Sequence, residues 1–233
     1  MTELRGIIFD KDGTLFDFSK TWEAWAASFL RRIGQNEQHS IALGAAVGFD
    51  FKTQKFARDS IVIAGTPAEV AHALTPQVPG RSIAEILNLI NEEAEKAPQA
   101  EVVPLKPFIN ELKRKGYHVG VVTNDAEQPA RAHLDTADVT GLFDFIAGFD
   151  SGFGAKPAAG QLLAFAQAVE IAPESVLMVG DSTHDLIAAE RAGMRAVGVL
   201  TGLADAQILA PFAETVLADI GQLPAWLDQQ KTV

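Results

Sequence analysis

Five nearly continuous apolar runs recur along the chain: Gly6 to Asp10, His118 to Thr123, Phe145 to Phe149, Val176 to Asp181 and Ala196 to Thr201. Runs so rich in Val, Ile and Leu offer no face to water, so as strands they must be covered on both sides. Parallel sheets meet that demand, because every crossover lays a helix on one face, and strand–helix alternation is the trace they leave in a sequence. Thr215 to Leu217 is a shorter candidate for a further strand. Pro107 to Lys115, Pro129 to Asp135, Ala158 to Val169 and Asp185 to Ala192 are the expected crossover helices. The pattern predicts an α/β protein with a parallel core sheet and helices on both faces.

Residues 16 to 100 break this rhythm. They lack a strand-like run and are punctuated by Gly34, Gly65-Thr66-Pro67 and Pro79-Gly80, so they read as helices. Phe18, Trp22, Trp25 and Phe29 follow one another at spacings of four, three and four, which puts them on one helical face. That regularity is what burial requires, so the stripe is read as packing and is assigned no ligand. Thr66 to Glu69 and Ser82 to Glu85 each match a capping box, the first with proline at the favoured opening position. Prolines at 98, 104 and 107 suit the return into the core. The expected division is a core of residues 1–15 and 101–233 and an all-helical insertion of 16–100, joined by short stiff connections that would let one body move over the other.

At 233 residues and 48% hydrophobic, the chain is long enough to bury a sizeable core. A formal charge of −11 argues against nucleic acid or an anionic membrane as partner, since either must be met by clustered Lys and Arg. There is no cysteine, which excludes disulfides and thiolate metal sites. Met1 to Arg5 run directly into the first apolar stretch with no long apolar leader, and a soluble cytoplasmic protein is the expectation. Nothing here separates a monomer from a homodimer.

Ligands of an open parallel sheet gather beyond the carboxyl ends of its strands. There Asp10 and Asp12 end the first run, Thr123 and Asn124 the second, and Asp181 to Asp185 the fourth, while Lys156 follows the third in Gly152-Phe153-Gly154-Ala155-Lys156-Pro157. Converging aspartates repel one another unless a cation binds, and hard oxygen donors without a His or Cys cluster favour Mg²⁺ over zinc. Metal, lysine, a threonine hydroxyl and backbone N–H groups could together hold a phosphoryl group. One Asp would then be free to attack phosphorus. Asp12 is placed to protonate the leaving alkoxide and afterwards deprotonate water.

Asp10-x-Asp12-Gly13-Thr14-Leu15, Thr123, Lys156 and Gly180-Asp181-x-x-x-Asp185 together resemble the four ordered motifs of the haloacid dehalogenase superfamily. The resemblance spans nearly the whole chain and implies a Rossmann-like core. It implies Asp10 as the nucleophile that becomes an aspartyl phosphate and Asp12 as acid/base. It further implies Mg²⁺ held by Asp10, the backbone carbonyl of Asp12 and Asp181, with Asp185 close behind, and phosphoryl oxygens bound by Thr123, Asn124 and Lys156. The helical insertion resembles the family's cap of the first type, as in phosphoglycolate phosphatases. The dehalogenases themselves lack an acid at the position of Asp12. Relatives often continue the lysine motif as Lys-Pro-x-Pro, whereas this chain has Lys156-Pro157-Ala158-Ala159.

The expected activity is Mg²⁺-dependent hydrolysis of a small phosphorylated metabolite, with phosphoglycolate favoured on cap type and length. A sugar phosphomutase of the same superfamily and a catalytically silent binding protein are the alternatives. Lys52, Lys55 and Arg58 in the insertion are candidates for reading a second anionic group. Ser182 with Asp185 matches a capping box that is compatible with a metal role for Asp181. His184 is expected to border the site; Lys113 to Lys115 reads as a helix C-terminus, where cations offset the dipole.

Overall fold

The computed structural model describes residues 3–230; Met1, Thr2 and the last three residues of the expected core lie outside them. After β1 (Gly6–Phe9) the chain enters the insertion, with α1 (Phe18–Ile33), α2 (Glu37–Val47), a ribbon of β2 (Phe49–Asp50) and β3 (Lys55–Phe56), then α3 (Ile61–Ala64), α4 (Pro67–Leu74) and α5 (Ile83–Ala94). It returns through α6 (Leu105–Arg114), β4 (His118–Val122), α7 (Glu127–Thr136), β5 (Phe145–Ala147), α8 (Gly160–Ala168) and β6 (Val176–Gly180). It closes with α9 (Thr183–Ala192), β7 (Arg195–Val199), α10 (Ala206–Leu209), β8 (Thr215–Leu217) and α11 (Leu223–Gln230).

The six-stranded sheet has the order β5-β4-β1-β6-β7-β8 and is parallel throughout. Because side chains alternate across a strand, each strand feeds two cores. Ile7, Phe9, Val119, Val121, Leu177 and Val179 face one way, onto α6 and α11. Ile8, Val122, Val176 and Met178 face the other, onto α8 and α9. Burial on both faces explains the absence of polar alternation. The strands following β1 leave it on opposite sides, β4 on one and β6 on the other, so a crevice opens beyond Phe9 where the strand order reverses.

The insertion carries an apolar cluster of its own, built from Phe18, Phe29, Leu30, Leu43, Leu74, Ile86 and neighbours. It is not wholly helical. Gly48 ends α2 in the left-handed conformation (φ 75°), and Asp50 accepts from the Lys52 amide (2.8 Å) and the Thr53 hydroxyl (3.0 Å), closing a short hairpin in which Phe49 pairs with Phe56. Both expected capping boxes form, at Thr66–Glu69 and Ser82–Glu85. No helix among the described residues is long and apolar enough to cross a membrane.

Candidate active site

The sheet stops just before the chemistry. β1, β4 and β6 end at Phe9, Val122 and Gly180, so Asp10, Thr123 and Asp181 are each the next residue, turned out of the ladder at neighbouring strand ends. Carboxylate oxygens of Asp10, Asp181 and Asp185 lie within 4.8 Å of one another, and all three residues are buried. Lys156 reaches in from the loop after β5. Its Nζ donates to Asp10 Oδ1 (2.5 Å), Asp185 Oδ1 (2.6 Å) and the Val122 carbonyl (3.0 Å).

Three carboxylates against one ammonium leave an excess of negative charge in a dry crevice. Burial pushes Asp10 up to about 7, with Asp185 adding to the rise and Lys156 opposing it. Asp181 is held well above the ordinary carboxylate range by burial and by Asp10 and Asp185. Lys156 is pushed up: Asp10 and Asp185 outweigh the cost of burying its charge. A divalent cation would relieve this excess, and the all-oxygen donor set suits Mg²⁺. The space beside Asp181 is kept by glycine. A Cβ on Gly13, whose φ is +82°, would stand 2.5 Å from Asp181 Oδ2, and one on Gly202 would stand 1.7 Å from the same atom. These residues fit a metal held at Asp10 and Asp181.

Asp185 does two jobs. Its Oδ2 accepts from the Ser182 hydroxyl (2.7 Å) and amide (3.1 Å), capping α9, while Oδ1 takes Lys156. Thr123 Oγ1 accepts from the Asp125 amide (3.0 Å), which leaves the hydroxyl proton free to donate toward the crevice. The Asn124 side chain is engaged within the protein. Its Nδ2 donates to the carbonyls of Ala64 (2.8 Å) and Lys156 (2.9 Å), and its Oδ1 accepts from the Lys156 amide (2.8 Å). Both amide hydrogens are committed, so the side chain clamps the lysine loop and offers no donor to a phosphoryl group.

Behind the crevice lies a network that the sequence reading missed. Lys11 is wholly buried; its Nζ meets Asp12 Oδ2 at 2.8 Å, Asp125 Oδ2 at 3.2 Å and His133 Nδ1 at 2.8 Å. These acids raise the Lys11 pKa against the opposing effect of burial. A charged lysine can only donate, so His133 accepts at Nδ1 and donates from Nε2 to the Ala94 carbonyl (2.7 Å) at the end of α5. Burial, reinforced by Lys11, pushes His133 down to about 4 and keeps it neutral. The Trp22 indole of α1 donates to Asp12 Oδ1 (2.8 Å). Asp12 is thus gripped by a core lysine and an insertion tryptophan. The one available signal was Lys11 itself, a cation at the end of a run that must be buried.

A cavity of about 710 Å³, mouth included, joins these groups to the insertion. Asp10, Asp12, Thr123, Asn124, Lys156, Asp181, Asp185 and His184 line its core side. Phe18, Trp22 and Trp25 line the other, so the aromatic stripe packs the insertion and also walls the cavity, where the sequence reading gave it packing alone. Ala64 O, which takes the Asn124 amide, also accepts from His184 Nδ1 (3.0 Å), tying the insertion to two core side chains. Lys52 and Lys55 are exposed and do not line the cavity. Arg58 lies at an adjoining cleft, 3.1 Å from Asp205.

Known proteins bear out the resemblance. The model of the family described as haloacid dehalogenase-like hydrolase matches residues 7–199. The chain is 26% identical over 205 residues to a phosphoglycolate phosphatase of Aquifex aeolicus, covering 85% of this chain and 86% of that one. It is 24% identical over 200 residues to the pyrophosphatase PpaX of Bacillus mycoides, covering 84% of each. The crystal structure of CbbY from Rhodobacter sphaeroides in complex with phosphate superposes with a TM-score of 0.74 at 21% identity, over 97% of this chain and 99% of that one, a likeness of fold. With the four motifs gathered at the strand ends and the family model spanning most of its length, the chain belongs to the haloacid dehalogenase-like hydrolases.

Proposed function

We propose that the protein is a Mg²⁺-dependent phosphatase that hydrolyses a small phosphomonoester through an aspartyl phosphate on Asp10. The observation that carries this reading is the buried triad of Asp10, Asp181 and Asp185, with Lys156 bridging Asp10 and Asp185. Asp10, Asp181 and the backbone carbonyl of Asp12 would hold the metal, with Asp185 behind them. Bound there, Mg²⁺ would neutralise charge on the phosphoryl oxygens.

Asp10 attacks phosphorus through a carboxylate oxygen as the bond to the ester oxygen breaks, and Asp12 gives its proton to the departing alkoxide. Asp12, now ionised, takes a proton from water, whose oxygen attacks the aspartyl phosphate; phosphate leaves and Asp10 is regenerated. Lys156 and the Thr123 hydroxyl balance the phosphoryl charge during both displacements. The Trp22 and Lys11 contacts keep the Asp12 carboxylate in one orientation. Residues 16–100 serve as a cap over the crevice, and the same proposal places the enzyme in the cytoplasm, where phosphorylated metabolites are made.

Assay of the purified protein with Mg²⁺ against a panel of phosphate esters tests the reading. Equimolar alcohol and free phosphate, abolished by Asp10→Asn, supports it. An isomerised sugar phosphate with little free phosphate would point to a mutase, and failure with every ester on folded, metal-binding protein would leave only a silent binding protein.

A further inference from the structure

Resting on that phosphatase reading, we propose that the leaving group is an uncharged alcohol with an apolar, aromatic or branched body, and that glycolate and pyrophosphate are poor substrates. The wall facing Asp10 is built from Phe18, Trp22, Trp25, Ile63, Val70 and Ile90. Lys156 is the one Lys or Arg side chain among the described residues lining the cavity, and it is held between Asp10 and Asp185. A glycolate carboxylate or second phosphate would lose water against this wall and meet no Lys or Arg beyond the one already shared by Asp10 and Asp185, which is costly for an anion.

The start of α4 borders the cavity, but the Thr66 amide donates to Glu69 Oε2 (2.7 Å), the Glu69 amide to Thr66 Oγ1 (3.3 Å), and Pro67 has no N–H. The Glu69 carboxylate further disfavours an anion there. Arg58, with an exposed side chain, is paired with Asp205 at an adjoining cleft and does not line this cavity, although the two share Ile63 to Gly65, Asp181, Ser182 and His184. The buried Trp25 indole N–H has no acceptor. A hydroxyl or ether oxygen on an otherwise apolar alcohol would satisfy it.

Benzyl phosphate and phosphoglycolate both release a primary alkoxide, so their comparison reads the cavity and not the ease of departure. With the full chain and Mg²⁺, kcat/KM for benzyl phosphate is expected to exceed that for phosphoglycolate by at least about tenfold, and pyrophosphate to rank with phosphoglycolate. Ile63→Arg, on a half-buried wall position, should move the ratio toward phosphoglycolate by about tenfold; the wild-type ratio stands as the test if that variant does not fold. Equal or better turnover of phosphoglycolate or pyrophosphate overturns the leaving-group proposal and leaves the phosphatase reading intact. So does Asp10-dependent hydrolysis of sugar phosphates with none of benzyl phosphate. Absence of Asp10-dependent phosphate release from every ester overturns the phosphatase reading, and the leaving-group proposal with it.

Discussion

Two buried lysines, each between two aspartates, stand on either side of the same turn. Lys156 joins Asp10 to Asp185 and faces the cavity; Lys11 joins Asp12 to Asp125, adds His133, and has no exposed surface. The chemistry is alike, yet the surplus differs. The front cage has Asp181 as an additional acid, seated where only glycine at 13 and 202 leaves room for its carboxylate, whereas the rear cage has a neutral imidazole where a further charge could have been. A larger charge surplus at the metal-facing side of a cavity is a place for a ligand; a smaller one gathered on a lysine with no exposed surface is a brace. The difference teaches that a buried ion pair becomes functional through what it leaves unbalanced.

The sharpest way to break this comparison is to remove one lysine at a time. Lys156→Met should lower kcat/KM by roughly 10³-fold, because it strips charge that faces the transferring group. Its lost thermal stability should be partly recovered by Mg²⁺, since a divalent ion can replace the missing ammonium. Lys11→Met should cost about 3 kcal/mol in denaturant unfolding, the low end for a broken buried pair, as it leaves buried Asp125 and half-buried Asp12 without their cation. Mg²⁺ should restore none of that loss; equal recovery in both variants would erase the distinction between the cages.

Acid tests the rear cage through His133. His133 is held near 4 in the fold against an ordinary 6.5, so below 6.5 the unfolded chain takes up a proton that the folded chain refuses. Its contribution is therefore in place above 6.5 and is lost as pH falls from 6.5 toward 4, by about 3 kcal/mol at most. The difference between the wild-type and His133→Gln stability profiles in urea should show that loss, since Asp10, raised to about 7, contributes to both alike. The smallest effect is expected at Trp22→Phe, which keeps an aromatic wall but removes one donor from Asp12. A kcat reduced about threefold to tenfold with a smaller change in KM would fit a positioning role, and an unchanged kcat would remove Trp22 from it.

The front cage was legible in the chain because a topological rule places strand ends together: Asp10, Thr123, Lys156 and Asp181 could be gathered without knowing any distance. The rear cage follows no such rule. Lys11 meets a histidine 122 positions away on a helix face, and nothing local to His133 marks it as an acceptor. Asn124 was found in the right place, but only geometry reveals that its side-chain amide hydrogens are taken. The β2–β3 ribbon escaped notice because two-residue strands carry no period; Asp50 and Gly48 were its signal, turn chemistry in place of pattern.

The contact that draws Asn124 and His184 onto the insertion ends on the main-chain oxygen of Ala64. Every amino acid at position 64 would supply that oxygen. Side chains around it can therefore differ, and with them the choice of alcohol, while the latch that brings the two halves together asks only for Asn124 and His184.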